Sequence, residues 1–131
     1  MKREFKKKLL SLDFDGTCVK NEFPKVGGDV KAVPVLKKLV DSGFKIILST
    51  MRSDEYLDHA IDWFNLHDIP LYSIQQDPNQ YKWTSSTKCY SEMYIGDDAY
   101  GAPLIYDDDK CKGYINWKKL EQDFISWGYI K

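Results

Sequence analysis

The chain has 131 residues, of which 43% are hydrophobic and 30% are charged, and its formal net charge is −1. This composition is typical of one folded domain and excludes a disordered chain. The small net charge gives no support to general nucleic-acid binding, and no apolar run is long enough to span a bilayer, so we expect no membrane partner.

A basic segment, residues 1–8, precedes the first predicted strand. It contains five Lys and Arg residues, and we interpret it as a solvated lead-in to the domain rather than a nucleic-acid contact. No apolar region follows it, so it is not a signal peptide. The three cysteines, Cys18, Cys89 and Cys111, cannot all pair within one chain and none lies in a CxxC motif. We therefore expect reduced thiols and a cytoplasmic location.

Short apolar runs alternate with amphipathic stretches along the chain. The runs predict strands at residues 9–13, 44–48, 71–74 and 93–95, with a fifth at 104–106. Apolar residues at helical spacing predict a helix from near Ala32 to Gly43, a second after Ser53 or Asp54, and a third from Trp117 to Trp127. The polar residues 75–87 are predicted to form a loop. This alternation predicts a single α/β domain with a parallel sheet and helices on both faces.

The most informative segment is Asp13-Phe14-Asp15-Gly16-Thr17, directly after the first strand. Residues two apart on an extended backbone point the same way, so Asp13 and Asp15 can address one ligand, while Phe14 points into apolar surroundings. Gly16 permits the sharp turn that leaves the strand. Ligands of such sheets bind beyond the carboxyl ends of the strands. Two acids placed there repel each other, so a cation must hold them.

Four separated stretches resemble, in order, the four motifs of the haloacid dehalogenase superfamily. LSLDFDGT resembles motif one, KIILST ending at Thr50 resembles motif two, Lys88 fits motif three, and YIGDD with Asp97 and Asp98 fits motif four. STMR, WTSS and GAPLI are similar to stretches of the small members without a cap domain. One departure is Gly96, which stands where those relatives have the first acid. It matches the Gly-Asp form of the broader superfamily, so Asp97 is the better-supported acid of the pair.

The resemblance implies a three-layer, Rossmann-like domain over residues 1–131, with a central parallel sheet and no cap. It implies a magnesium-dependent phosphomonoester hydrolase, in which Asp13 forms an aspartyl-phosphate and Asp15 is the general acid and base. Thr50 and Lys88 would contact the phosphoryl group. The remaining implied roles are substrate binding by Phe14, Gly16, Met51 and Arg52, and Mg²⁺ binding by Asp13, Asp15, Asp97 and Asp98.

The chemistry of the residues is compatible with these roles. Mg²⁺ prefers hard oxygen ligands and keeps several waters, which the Asp13 carboxylate, the Asp15 carbonyl and Asp97 can accommodate. Phosphoryl transfer depends mainly on positioning and charge neutralisation, and a lysine ammonium contributes to both. The mechanism also requires a protonated Asp15 near neutral pH, so we expect its pKa to be raised by burial or by acidic neighbours.

Several residues also have plain structural explanations. The alternative for Lys88 is a surface lysine, and the alternative for Thr50 is a strand-end residue that bonds the backbone. Arg52 either contacts substrate or pairs on the surface with Asp54 or Glu55. Residues 107–109, three consecutive aspartates, are expected to form a solvated turn.

The spacing of the motifs predicts an open site. Only about a dozen residues separate Thr17 from the first helix, which is too few for a folded cap. An open site admits a small phosphorylated molecule or the phosphorylated end of a polymer, and a homo-oligomer would close it with a second subunit.

Three rival functions remain. A receiver-type signalling domain is disfavoured because its acidic pair follows the first strand, whereas here the pair comes last. A non-catalytic or regulatory phosphate-binding module with a degenerate site is the second. A phosphotransferase, in which another alcohol replaces water as acceptor, is the third.

Overall fold

The computed structural model describes residues 3–107 and 112–131 of the chain. The elements follow one another in the order β1 (Leu9–Leu12), α1 (Val33–Asp41), β2 (Lys45–Leu48), α2 (Asp54–Leu66), β3 (Ser73–Ile74), β4 (Met93–Ile95), β5 (Leu104–Ile105), β6 (Tyr114–Ile115) and α3 (Trp117–Ser126). A single-turn 3₁₀ helix, Gln80–Lys82, lies within the segment predicted as a loop. The four main strands and three helices confirm the predicted alternation, with ends that differ by one or two residues.

Four parallel strands form the main sheet, in the order β3-β2-β1-β4. β1 is central, and its last residue, Leu12, is aligned with Leu48 of β2 and Ile95 of β4. The carboxyl ends of three neighbouring strands are therefore level. The residues that follow them emerge at one edge of the sheet, as expected for an α/β Rossmann-like fold.

The two faces of the sheet are covered differently. Leu10 and Leu12 belong to a large apolar cluster with side chains of all three helices, such as Leu36, Phe64 and Phe124. Leu9 points to the opposite face, where the cluster is smaller and contains Leu9, Ile47, Cys89 and the adjacent Tyr90. The prediction of helices on both faces therefore needs correction. The second face is packed against residues just before β4, in a segment whose helical content is one 3₁₀ turn.

β5 and β6 pair antiparallel in a hairpin that is separate from the main sheet. The predicted fifth strand is thus present but does not extend the parallel sheet, and β6 was not predicted because two residues are too few to show alternation. The hairpin and the first residue of α3 are each joined to the loop after β1 by a hydrogen bond. The Ile115 N–H donates to the Gly16 carbonyl over 3.0 Å, and the Trp117 indole N–H donates to the Thr17 carbonyl over 2.7 Å.

The basic N-terminal segment is held against β4. The Glu92 carboxylate accepts hydrogen bonds from the backbone N–H groups of Lys6, Lys7 and Leu9, at 2.7, 2.8 and 3.3 Å. The described part of this segment leads into β1 and is bonded to Glu92, so it is not a free tail. Glu92 directly precedes β4, so these bonds join an edge of the main sheet to the residues before β1.

Four residues of the sequence predictions, Lys2, Asp108, Asp109 and Cys111, lie outside the described part of the chain. Asp107 is described and is more than a solvated turn residue, because it accepts from Lys20 over 2.6 Å and from the Tyr114 hydroxyl over 2.8 Å. None of the helices within residues 3–107 and 112–131 has the length and apolar character that crossing a lipid bilayer requires.

Candidate active site

A cavity of about 400 Å³ lies at the carboxyl ends of β1, β2 and β4. Its lining contains four carboxylates, two cationic side chains and four neutral residues. These are Asp13, Asp15, Asp97, Asp98, Arg52, Lys112, Asn21, Phe23, Thr50 and Met51. Asp13 and Thr50 follow β1 and β2, and Asp97 follows β4, so the level ends of these strands bring them together.

Thr17 connects the carboxylates of Asp13 and Asp97. Its hydroxyl donates to Asp13 Oδ2 over 2.9 Å and lies 3.4 Å from Asp97 Oδ1, while it accepts from the Asp97 N–H over 3.1 Å. Gly16 makes room for this arrangement, because a Cβ at that position would lie 2.3 Å from Asp97 Oδ2. The Gly16 φ of 81° also favours glycine.

The Asp13 carboxylate holds a proton more tightly than an ordinary aspartate. Burial is the largest cause, and the adjacent Asp97 carboxylate adds to it, so that the pKa of Asp13 rises from 3.8 to about 7. The Thr17 hydroxyl and the Phe14 backbone oppose this shift. Near neutral pH, Asp13 is therefore divided between its protonated and ionised forms.

Asp15 forms a bidentate ion pair with a buried arginine. Arg52 is 3% exposed, and its Nε and Nη2 donate to Asp15 Oδ2 and Oδ1 over 2.8 and 2.7 Å. The three remaining N–H donors of the guanidinium bind backbone carbonyls, those of Pro24, Tyr56 and Lys25. All five donors of Arg52 are thus used within the protein.

This pairing changes two sequence-based roles. Arg52 has no donor left for a substrate, and it is not paired on the surface with Asp54 or Glu55, so neither of the two expectations describes it. It positions Asp15 and joins the loop before α1 to the start of α2. Both oxygens of Asp15 accept from Arg52, which is the geometry of an ionised carboxylate rather than the protonated acid that the mechanism requires.

Thr50 is fixed by a residue that the sequence interpretation assigned to a loop. The Gln75 side chain accepts from the Thr50 N–H over 3.0 Å and donates to the Thr50 carbonyl over 2.7 Å. The Thr50 hydroxyl accepts from the Arg52 N–H over 3.1 Å, so its own proton remains available to donate. Thr50 therefore bonds the backbone, as its structural explanation expected, and still faces the cavity.

Two residues that line the cavity have backbone N–H groups left unpaired by the described part of the chain. Among the described residues, the N–H groups of Asp15 and Met51 have no hydrogen-bond partner. The Gly16 N–H, in contrast, donates to the Val19 carbonyl over 2.8 Å and is not free to bind a substrate. The Met51 side chain is 99% exposed, and the Phe14 ring is fully buried against Arg52. Any phosphate contact by Met51 or Asp15 is thus through the backbone.

A second cavity, of about 440 Å³, adjoins the first and shares Asp13, Thr50 and Met51 with it. Its other lining residues are neutral: Ser49, Gln75, Gln76, Thr87 and Cys89. Asp13 therefore lies between an acidic space on one side and an uncharged polar space on the other.

Lys88 does not line either cavity among the described residues, although its neighbours Thr87 and Cys89 line the second. The Lys88 ammonium lies 5.6 Å from the ring centroid of Tyr94, in a cation–π contact on the exposed edge strand. In this structure the side chain has the position of a surface lysine, not that of the phosphoryl-binding lysine of motif three.

The donor set fits magnesium in part. Within the described residues, no three His, Cys, Asp or Glu side chains form a ready-made metal cluster. Asp13 and Asp97 lie close enough for one to raise the pKa of the other, and the Asp15 carbonyl accepts no hydrogen bond from described residues. Two carboxylates and one carbonyl, completed by waters, satisfy Mg²⁺. Asp98 is exposed at the lining and is not needed for this set.

The sequence interpretation missed Asn21, Phe23, Gln75 and Lys112. The first two lie in the loop before α1, which Arg52 holds in place through the neighbouring carbonyls of Pro24 and Lys25. No motif or periodicity marks residues of this kind, because their placement depends on long-range contacts.

No protein-family model matches the chain, and no curated protein matches it significantly. A solved structure from Bacteroides thetaiotaomicron, described as a conserved protein coded by a locus of that organism, is similar with a TM-score of 0.72 and 28% sequence identity. The alignment covers 90% of this chain and 88% of that one. The similarity supports the α/β fold over nearly the whole chain, and the description carries no function.

Proposed function

We propose that the protein is a magnesium-dependent phosphomonoester hydrolase of the haloacid dehalogenase superfamily, without a cap domain, that acts through an aspartyl-phosphate on Asp13. The observation that carries this function is the convergence of Asp13, Thr50 and Asp97 in one cavity from the ends of three adjacent strands. Carboxylate nucleophile, hydroxyl donor and cation-binding acid are the groups that phosphoryl transfer needs.

In the first step, a carboxylate oxygen of Asp13 attacks phosphorus and the ester P–O bond breaks, with its electron pair going to the leaving oxygen. The Thr50 hydroxyl and the backbone N–H groups of Asp15 and Met51 donate to the phosphoryl oxygens. The bond from Thr17 keeps Asp13 oriented. An aryl oxide leaves as the anion and takes its proton from water afterwards.

In the second step, water attacks phosphorus and Asp15 accepts its proton, while the bond between Asp13 and phosphorus breaks and phosphate leaves. Asp15 is suited to this role because its carboxylate is ionised and oriented by Arg52. A magnesium ion held by Asp13, Asp97 and the Asp15 carbonyl would neutralise charge on the carboxylates and on the phosphoryl group.

We assign the substrate to phosphomonoesters that reach an open cavity, either small molecules or phosphorylated polymer ends, in the cytoplasm. The cavity is lined by the exposed side chains of Phe23 and Met51 at its rim. A homo-oligomer would cover this rim with a second subunit, and the mass measured by light scattering tests that arrangement.

The decisive experiment measures phosphate release from para-nitrophenyl phosphate, with magnesium and with a chelator. We expect turnover only when magnesium is present. We expect Asp13→Asn to abolish both the turnover and the added mass of the trapped aspartyl-phosphate. Asp58→Asn, an exposed acid on α2, is the matched control and keeps full activity. Activity in Asp13→Asn equal to that of the control would contradict the nucleophile assignment.

A non-catalytic phosphate-binding module is the second candidate. Two observations favour it. The bidentate pair with Arg52 leaves Asp15 without a proton to donate, and Lys88 lies outside the two cavities. Calorimetry with inorganic phosphate distinguishes the two functions, because the module binds phosphate without turnover of any ester.

A further inference from the structure

We infer that Lys112 is the cation that receives the phosphate ester in this cavity, in the place that the resemblance gives to Lys88. The inference rests on the proposed function, which it extends by one substrate-binding residue. It follows from how the charges of the lining residues are already used and from how the β5–β6 hairpin is attached.

The charges of the cavity leave one ammonium uncommitted. Its lining has four carboxylates and two cations, Arg52 and Lys112. Arg52 is matched by Asp15 and has used all five donors, so it cannot bind a further anion. Lys112 has no hydrogen-bond or ion-pair partner within residues 3–107 and 112–131.

The remaining charges show what Lys112 contributes. Once Asp15 is paired, three carboxylates face one ammonium in the cavity. A divalent cation alone would leave this set with one excess negative charge, and the Lys112 ammonium neutralises it. A phosphate ester dianion therefore meets a neutral lining with Lys112 and a repulsive one without it.

The hairpin fixes the backbone near Lys112 relative to the catalytic loop. Ile115, three residues later, donates to the Gly16 carbonyl, and the Trp117 indole donates to the Thr17 carbonyl. Gly113 has φ of 86°, and a Cβ there would lie 2.8 Å from the Tyr106 ring, so the backbone directly after Lys112 requires glycine. These contacts fix the backbone beside Lys112 relative to the loop that carries Asp13 and Asp15.

The exposure of Lys112 indicates substrate capture rather than chemistry at the buried nucleophile. An exposed ammonium attracts the dianion from solution and then donates to a phosphoryl oxygen at the rim. Its loss should therefore raise KM more than it lowers kcat, and should weaken the dependence of kcat/KM on ionic strength.

The test compares Lys112→Ala, Lys112→Arg and Lys88→Ala, with Lys37→Ala as the control on the exposed side of α1. With para-nitrophenyl phosphate and magnesium, we expect Lys112→Ala to lower kcat/KM about tenfold, mainly through KM, since a charged hydrogen bond is worth that factor or more. Lys112→Arg keeps the charge and should recover most of the loss. Lys37→Ala should match the wild type.

Two results would overturn the role of Lys112. One is a Lys112→Ala variant with the kcat/KM and salt dependence of Lys37→Ala, and the other is a large loss confined to Lys88→Ala. If the wild-type protein hydrolyses no ester, the proposed function fails, and calorimetry with inorganic phosphate and magnesium then decides the inference alone. Phosphate binding that is about tenfold weaker in Lys112→Ala supports it, and equal binding or none by the wild type refutes it.

Discussion

The raised pKa of Asp13 predicts a stability that depends on pH in an unusual direction. The folded state holds the proton up to about pH 7, whereas an unfolded aspartate releases it near 3.8. Because the folded pKa is the higher one, the stabilisation is fully present below the unfolded pKa and is lost as pH rises towards 7. Above pH 7 both states are ionised and the loss levels off.

The size of the effect follows from the two pKa values. Each pKa unit corresponds to about 1.36 kcal/mol, so the whole difference amounts to about 4 kcal/mol. Between pH 5 and pH 8 the part attributable to Asp13 is on the order of 3 kcal/mol. Asp13→Asn is isosteric and cannot ionise, so its stability relative to the wild type should increase by that amount over this range.

Urea unfolding at pH 5, 6, 7 and 8, in the presence of a chelator, measures this difference. Asp98→Asn removes an exposed carboxylate from the same cavity and should keep the wild-type pH dependence. Asp97→Asn removes a carboxylate that, together with burial, raises the pKa of Asp13. The fall in the free energy of unfolding between pH 5 and pH 8 should then be smaller but still present. Parallel stability curves for Asp13→Asn and wild type would show that Asp13 does not hold a proton in the folded state.

Two further predictions concern residues around the carboxylates. Arg52→Met should lower the free energy of unfolding by about 3–5 kcal/mol, because it leaves the Asp15 carboxylate without its partner. Arg52→Lys should recover only part of this loss. A loss below about 1 kcal/mol for Arg52→Met, measured by urea unfolding, would contradict a buried pair. Gly16→Ala should lower magnesium-dependent hydrolysis by about a hundredfold, because the added Cβ displaces Asp97. Gly101 has a similar φ of 85° but open space around it, so Gly101→Ala should keep full activity. Equal activity in both variants would exclude the Asp97 contact.

The positions of Asp13, Thr50 and Asp97 were predictable because they depend on few assumptions. Each follows an apolar run of strand length, and the ends of neighbouring parallel strands lie at one edge of a sheet. Short-range pattern and one topological rule are then sufficient to place all three together. The structure confirms that placement, and their catalytic roles stay predictions.

The contacts of the charged groups were not predictable in the same way. Arg52 and Asp15 are 37 residues apart, and the guanidinium is held by two carbonyls of the loop before α1 and one carbonyl of α2. Lys112 lies between two strands of only two residues each, β5 and β6, so no periodicity marks it. Long side chains reach their partners through such local detail, which a single sequence does not contain.

The structure also reverses the charge states that the sequence-based mechanism starts from. That mechanism needs an ionised Asp13 and a protonated Asp15, yet burial and Asp97 favour the proton on Asp13, while Arg52 engages both oxygens of Asp15. A cation beside Asp13 would lower its pKa again and favour the ionised form. In the proposed mechanism, a bound cation would therefore favour the ionised nucleophile as well as neutralise the substrate. The intact Asp15–Arg52 pair, for its part, favours esters whose leaving oxygen departs without a proton.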